Sequence, residues 1–129
     1  MSGTKGKSTT ATLTYETLKT AGKSVQLIGN IGNPVLDYLN IQDLSKQQEE
    51  MVVFEISSYM LDGLKKHNYI SVLLNIYADH LDWHEGFENY KNAKLNILSG
   101  SEHLLIRDEI TQRYPDFQKN IADQSFSIF

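Results

Sequence analysis

The sequence predicts an α/β fold in which helices cover a mostly parallel, doubly wound sheet. Short apolar runs alternate with helix-like stretches along the chain, an order typical of parallel sheets. A glycine-rich segment, residues 3–9, opens the first helix-like stretch, and polar clusters follow directly after two of the apolar runs. Because doubly wound sheets bind ligands at the carboxyl ends of their strands, these polar clusters mark the expected site.

Five apolar segments are predicted as strands. The clearest are residues 51–54, a buried strand that ends at Glu55, and residues 70–76. The other three are residues 25–28, 103–106 and 125–129. The intervening segments predict helices over residues 7–21, 34–44, 57–65, 87–98 and 107–114. Gly22 follows the first of these helices, at a position where glycine commonly ends a helix.

Composition narrows the class of protein. The 129 residues, 40% hydrophobic and 22% charged, are ordinary for one soluble domain. The net charge of −4 and the lack of a basic run argue against nucleic acid as a partner. The absence of cysteine excludes disulfides and thiolate metal sites. No apolar run approaches the roughly 18 residues of a membrane span. These features predict a cytoplasmic protein without membrane contacts.

Residues 3–9 predict a phosphate-binding loop. Backbone N–H groups of a glycine-rich turn converge on phosphate oxygens, and the following helix points its positive end at the same anion. Lys7 could reach the β- and γ-phosphates, and the Ser8 hydroxyl could ligate Mg²⁺. Met1 stands where the longer form of this pattern has a glycine, and a solvated lysine turn is the alternative interpretation. The predicted nucleotide-binding residues are Gly3, Thr4, Lys5, Gly6, Lys7, Ser8 and Thr9.

Glu55 closes a predicted buried strand, the place where nucleotide-binding sheets set a carboxylate near Mg²⁺. The alternative is an exposed glutamate at a strand end. Two hydroxyls follow at Ser57 and Ser58, and a serine helix cap would explain them equally well. Residues 29–34, which include Asn30, follow a strand and open a helix, so a simple turn is sufficient to explain them.

Residues 78–85 form an acidic and histidine cluster directly after a predicted strand. His80 and His84 are four residues apart and would share one face of a helix, a spacing that admits a zinc site. A polar loop whose histidines satisfy backbone groups is the alternative. With a phosphate loop in the same domain, a Mg²⁺–nucleotide role is simpler than a separate zinc site, although histidine is an unusual Mg²⁺ ligand.

In their order along the chain, these motifs resemble the Mur ligases, and most closely the branch that adds D-glutamate to a peptidoglycan precursor. The resemblance covers residues 3–97 and has five parts: the ATP loop, the turn at 29–34, residues 55–61, residues 74–84 and residues 90–94. The last part carries, at Lys94, a lysine that is carbamylated in many members. Asparagine is more usual in the family at the position of Lys5. Related folate ligases usually have an extra glycine before the loop serine, which this chain lacks.

The resemblance implies a P-loop-type central domain of an ADP-forming ligase. ATP would phosphorylate the carboxylate of UDP-N-acetylmuramoyl-L-alanine, and the amine of D-glutamate would displace the phosphate. Two Mg²⁺ ions are implied, the first served by Ser8 and Glu55 and the second by His80 and carbamylated Lys94. The implied catalytic residues are Lys7, Glu55, His80 and Lys94. The implied contacts to the UDP-sugar are Asn30, Ser57 and His80.

The resemblance also implies that residues 1–129 are a partial central domain, without the N-terminal UDP-binding domain and the C-terminal domain of the family. The strand that feeds the loop is expected to be missing apart from Met1 and Ser2, and its unpaired neighbours predict self-association. Three alternatives stay open. They are a nucleotide-binding module completed by another chain, another Mur or folylpolyglutamate-type ligase, and an unrelated metal-dependent hydrolase that uses the histidines.

Overall fold

The computed structural model describes residues 1–41, 50–64, 67–116 and 125–128. Contacts divide the chain into two compact units. The first unit comprises Met1–Lys5 and Ser57–Phe129, and the second comprises Gly6–Ile56. The boundary therefore falls inside the glycine-rich segment, between Lys5 and Gly6.

The second unit pairs two parallel strands with helices. Its described elements are helix α1 (Lys7–Thr20), strand β1 (Val25–Gly29), helix α2 (Val35–Ile41) and strand β2 (Met51–Glu55). Strand β1 runs parallel to β2, and Gly29 lies opposite Glu55 at their carboxyl ends. Helix α1 packs on both strands, and Ala11 is its fully buried residue. The predicted stop is confirmed, because Gly22 takes a left-handed conformation just after α1.

The first unit has a three-stranded parallel sheet in the order β3-β4-β5. Its strands are β3 (Asn68–Leu73), β4 (Ser101–Ile106) and β5 (Ser125–Ile128). Its helices are α3 (Ser58–Leu61), α4 (Leu81–His84), α5 (Phe87–Leu95) and α6 (Asp108–Arg113), with a 3₁₀ turn over Asn96–Leu98. The core of this unit includes Leu61, Leu73, Ile97, Ile106 and Ile110, each at most 2% exposed. Burying such a side chain contributes roughly 1.5–3 kcal/mol.

The predicted α/β class with parallel strands is confirmed, with differences in detail. The described strands form two sheets, one in each unit, where a single sheet was predicted. The expected remnant of the first strand appears as one isolated parallel bridge between Ser2 and Leu73. The strand predicted over 70–76 ends at Leu73, where its pairing with β4 ends opposite Ile106.

The helices also depart from the predicted bounds. The helix predicted over 57–65 ends at Leu61, because Asp62 is extended and Gly63 is left-handed. Residues 78–85 were predicted either as a polar loop or as a helix that carries both histidines. Helix α4 forms within them, and His80 lies outside it at a left-handed position. Parts of the predicted helices 34–44 and 57–65 and of the strand 125–129 lie outside the described residues. No helix among the described residues is long and apolar enough to cross a membrane.

Candidate functional site

The first half of the glycine-rich segment lies against the end of β3. Ser2 N donates to Val72 O at 2.9 Å, and Leu74 N donates to Ser2 O at 3.0 Å. A β-carbon at Gly3 would come within 3.0 Å of Leu74 Cβ and 3.4 Å of Asn75 N. A side chain at this position would have to displace Leu74 Cβ by a few tenths of an ångström, so the close approach favours glycine.

Thr4 is the most heavily bonded residue of this half. Its hydroxyl meets Tyr90 OH at 2.8 Å, accepts from Tyr77 N at 2.9 Å, and lies 3.2 Å from Tyr77 O. Its backbone amide donates to the Asn75 side chain at 2.9 Å. Burial raises the pKa of the Tyr90 hydroxyl, as do the charges of Asp79 and Tyr59, and the bond to Thr4 opposes them. Tyr90 is thus a neutral phenol at pH 7, and either hydroxyl can be the donor in its hydrogen bond with Thr4.

Lys94 is buried in the same unit, with only 2% of its surface exposed. Its Nζ donates to Gly3 O at 2.9 Å and to Ser2 Oγ at 3.2 Å, and it lies 5.6 Å from the centre of the Tyr90 ring. Fully buried lysines are rare unless they are paired. Lys94 therefore holds the beginning of the glycine-rich segment by donating to the carbonyl of Gly3 and to the hydroxyl of Ser2.

The second half of the segment begins the other unit. Gly6 adopts a left-handed conformation (φ 81°) and caps α1, a helix of 14 residues that starts at Lys7. Lys7 is half-buried, and Ser8 and Thr9 are exposed in the first helical turn. A first turn of this kind presents backbone N–H groups and a positive partial charge, which together favour a phosphate.

Glu55 is the most deeply buried of the described acids in the second unit, with 0% exposure at the end of β2. Its Oε1 accepts from Asn30 Nδ2 at 3.0 Å, and its backbone carbonyl accepts from Asn30 N at 3.0 Å. A β-carbon at Gly29 (φ 109°) would lie 2.2 Å from Glu55 O, so the turn closes tightly on this residue. Among the described residues, Glu55 Oε2 has no hydrogen-bond partner. An unsatisfied buried carboxylate oxygen fits a hard cation such as Mg²⁺.

The two histidines of the acidic cluster occupy different environments. His80, at the left-handed position before α4, has a 47% exposed side chain whose Nε2 lies 3.7 Å from Asp79 Oδ2. His84 is buried, and its Nε2 hydrogen-bonds Ser58 Oγ at 3.0 Å. The predicted shared helical face is therefore wrong, because α4 begins only at Leu81. In the described ranges, no group of three or more His, Cys, Asp or Glu side chains is arranged to hold a metal ion.

Burial lowers the pKa of His84, and the nearby charges of His80 and Lys94 lower it further, while Asp62 opposes them. Tyr59 stacks on the His84 ring at 5.6 Å and approaches the His80 ring at 5.1 Å. Neutral His84 therefore joins α4 to α3 through Ser58 and Tyr59.

Ser57 begins α3, where its hydroxyl accepts from Met60 N at 3.3 Å. The helix-cap interpretation of this serine is thus what the structure shows. Within the first unit the structure brings Gly3, Thr4 and Lys94 together, and within the second it joins Asn30 to Glu55. Among the described contacts, His80 makes no direct bond to the glycine-rich segment.

Asn75 and Tyr90 hold the glycine-rich segment, a role that was not predicted for either residue from the sequence. A signal for Asn75 was present, since it is a polar residue inside the apolar run 70–76. The bond between Ser58 and His84 had no comparable signal, because 26 positions separate the two residues.

Comparison with known proteins identifies relatives along nearly the whole chain. The family model for the Mur ligase middle domain matches residues 1–128. Three curated relatives are UDP-N-acetylmuramoylalanine–D-glutamate ligases from Alkaliphilus metalliredigens, Wolbachia pipientis and Vibrio atlanticus, with 39%, 44% and 32% identity. The alignments cover 88%, 82% and 99% of this chain. The chain spans only 25%, 20% and 29% of those relatives.

A solved structure shares the fold. It is the crystal structure of MurF ligase from Thermotoga maritima in complex with ADP, which superposes with a TM-score of 0.67 at 23% identity. The match covers 100% of this chain and 31% of that protein. The likeness supports the α/β fold of a Mur ligase middle domain.

Proposed function

The chain belongs to the Mur ligase family, and we propose that it is the nucleotide-binding part of a ligase that joins D-glutamate to UDP-N-acetylmuramoyl-L-alanine. The names of its curated relatives favour this reaction over that of another Mur or folylpolyglutamate-type ligase. The observation that carries the nucleotide role is the buried Glu55 carboxylate, with one open oxygen at the end of β2. It lies in the unit whose first helix carries Lys7 and Ser8.

The proposed reaction has two steps. The γ-phosphoryl group of ATP is transferred to the carboxylate of the UDP-sugar, which gives an acyl phosphate and ADP. The amine of D-glutamate then attacks the acyl carbon, loses a proton and displaces phosphate, so that an amide bond forms. Both ATP and the UDP-linked precursor are nucleotides of the cytoplasm, where we place this step of peptidoglycan synthesis.

In the second unit, the proposed roles concern the phosphates. Lys7 supplies a fixed positive charge to the transferring group, and the α1 amides together with Thr9 receive the phosphates. Ser8 and Glu55 would hold a first Mg²⁺ ion, with Asn30 orienting the Glu55 carboxylate. When bound, Mg²⁺ neutralises the negative charge that develops on the phosphate oxygens. Asn30 is also a proposed contact of the UDP-sugar, as the resemblance implies.

In the first unit, His80 and Ser57 are the proposed contacts to the UDP-sugar, because their side chains are not sequestered in the core. A second Mg²⁺ is proposed at His80 and Lys94. The Lys94 ammonium has only donors and cannot ligate a cation. Addition of CO₂ to the neutral amine, with loss of one proton, would give a carbamate with oxygen ligands. This step requires Lys94 to leave its bonds to Gly3 O and Ser2 Oγ.

The test is a chimera in which this chain replaces the matching segment of the Alkaliphilus metalliredigens relative. ADP release is measured with UDP-N-acetylmuramoyl-L-alanine and each of several amino acids. Turnover with D-glutamate above all others is expected. A folded chimera that binds Mg·ATP but releases ADP only with another amino acid would contradict the proposed acceptor. Failure of both the chimera and the chain to bind Mg·ATP would contradict the nucleotide role.

A further inference from the structure

Asn75 makes a set of bonds with the glycine-rich segment that no other described side chain makes. Its Oδ1 accepts from Thr4 N at 2.9 Å and from Lys5 N at 2.8 Å. Its Nδ2 donates to Lys5 O at 3.0 Å, and its own carbonyl also accepts from Thr4 N at 3.0 Å. One side-chain amide thus satisfies both polar backbone groups of Lys5 and the amide of Thr4.

The bond from Thr4 N to the Asn75 side chain is buried, and the two bonds to Lys5 are partly buried. Asn75 is 8% exposed and Thr4 is 6% exposed, while the Lys5 side chain points to solvent. A hydrogen bond screened from solvent is electrostatically stronger than an exposed one, and breaking it leaves a buried group unsatisfied. The backbone of Thr4 and Lys5 is therefore fixed before any ligand arrives.

The fixed residues directly precede Gly6, the left-handed residue that leads into α1. A binding loop that is already ordered loses less conformational entropy on binding than one that must become ordered. The amides of Thr4 and Lys5 already donate to Asn75 and are therefore not directed at a phosphate. The amides that receive a phosphate are those from Gly6 onward. Asn75 sets where the phosphate-binding run of amides begins.

We propose that Asn75 is a positioning residue for the nucleotide loop, which acts by holding the backbone of Thr4 and Lys5 through its side-chain amide. The proposal rests on the nucleotide-binding function proposed above. Asn75 does not touch the nucleotide in this proposal. A purely structural role at the end of β3 would instead predict that its loss weakens the whole first unit equally.

The experiment combines hydrogen exchange of single amides, followed by NMR, with calorimetric titration of Mg·ADP into the 129-residue chain. Asn75→Ala is expected to speed exchange at Lys5 by at least roughly tenfold, and at Thr4 by less, because Thr4 N keeps the Asn75 carbonyl as an acceptor. Exchange at Leu104 and Leu105 in β4 should be unchanged. Its affinity for Mg·ADP is expected to fall by roughly tenfold. The matched control is Asn96→Ala, which removes another side-chain amide bonded to backbone carbonyls, those of Leu61 and Leu64.

Asn75→Asp provides a second variant, because it keeps an acceptor for both amides while it replaces the donor to Lys5 O with an oxygen that repels this carbonyl. Protection of Thr4 and Lys5 is expected to persist in it. Unchanged exchange at Lys5 in Asn75→Ala, or exchange at Lys5 in folded Asn75→Asp as fast as in Asn75→Ala, would overturn the proposal. Equal Mg·ADP affinity of Asn75→Ala and the parent chain would overturn it as well. If the parent chain binds no Mg·ADP, the proposed function has failed, and the exchange rates still report whether Asn75 holds the loop.

Discussion

The side-chain amide of Asn30 donates to Glu55 Oε1 at 3.0 Å, and the carboxylate that it supports is completely buried. Asn30→Ala should therefore destabilise the chain, because it removes a bond to a buried charged group. The expected loss is about 1–3 kcal/mol in the free energy of unfolding, measured with urea. Asn33→Ala, at another exposed position of the same turn, is the control and should change stability little, because the described hydrogen bonds of Asn33 are made by its backbone. Equal effects of the two substitutions would contradict the role given to Asn30.

Lys7→Ala should abolish ligase turnover in the chimera while leaving it folded, because Lys7 is only half-buried at the start of α1. Losing a preorganised charge on the transferring phosphate typically costs on the order of 100-fold or more in rate. Lys23→Ala, an exposed lysine just after the same helix, is the matched control. ADP release by the Lys7 variant at near the parent rate would show that residues 3–9 are not the phosphate loop.

Lys94→Ala should lose most activity in the chimera, and added acetate should restore part of it by placing carboxylate oxygens in the vacated space. Lys91→Ala, one turn earlier on α5 and paired with Glu88 on the surface, should stay active. A folded, inactive Lys94 variant that no short carboxylate rescues would contradict the carbamate. Its inactivity would then be assigned to the lost bond with Gly3 O.

The pKa of His84 is lowered in the folded chain, chiefly by burial, so the unfolded chain binds the proton more readily. The corresponding stability is complete above the unfolded pKa of about 6.5 and is lost as pH falls below it toward the folded pKa. Urea unfolding between pH 7.5 and 5 should show this decline in the parent chain and a smaller one in His84→Gln. His103→Gln, which changes an exposed histidine, should keep the parent slope. Identical pH profiles for all three proteins would contradict the assignment of this pH dependence to His84.

Much of the architecture was predictable because it depends on local patterns. The apolar run 51–54 ended at Glu55 as predicted, and Gly22 ended the first helix. The limits of β3 were not predictable, since Leu74 continues the apolar pattern although the pairing with β4 ends at Leu73. Hydrophobic periodicity indicates which side chains are buried, and it does not indicate which distant backbone they meet.

The residues of the candidate site likewise divide into those that the local sequence predicts and those whose placement depends on distant contacts. Residue types and spacing identified Lys7, Ser8 and Glu55 as candidates for phosphate and Mg²⁺ chemistry. The burial of Lys94 could not be predicted from the sequence of α5, because most lysines on such a helix are solvated. It depends on a contact with Gly3, which lies 91 positions earlier in the chain. The left-handed backbone of His80 was equally hidden, since this conformation is uncommon outside glycine and breaks the expected helical face.

The described hydrogen bonds of residues 2–5 reach far along the chain, to partners 70 to 92 positions later. A ribosome that has made the glycine-rich segment must still add every residue up to Lys94 before the last of these partners exists. Local contacts can begin α1 much earlier, whereas the segment in front of it must wait for β3 and α5. We therefore expect α1 to form before the loop conformation, and competence to hold a nucleotide to arise only after Lys94 has been made.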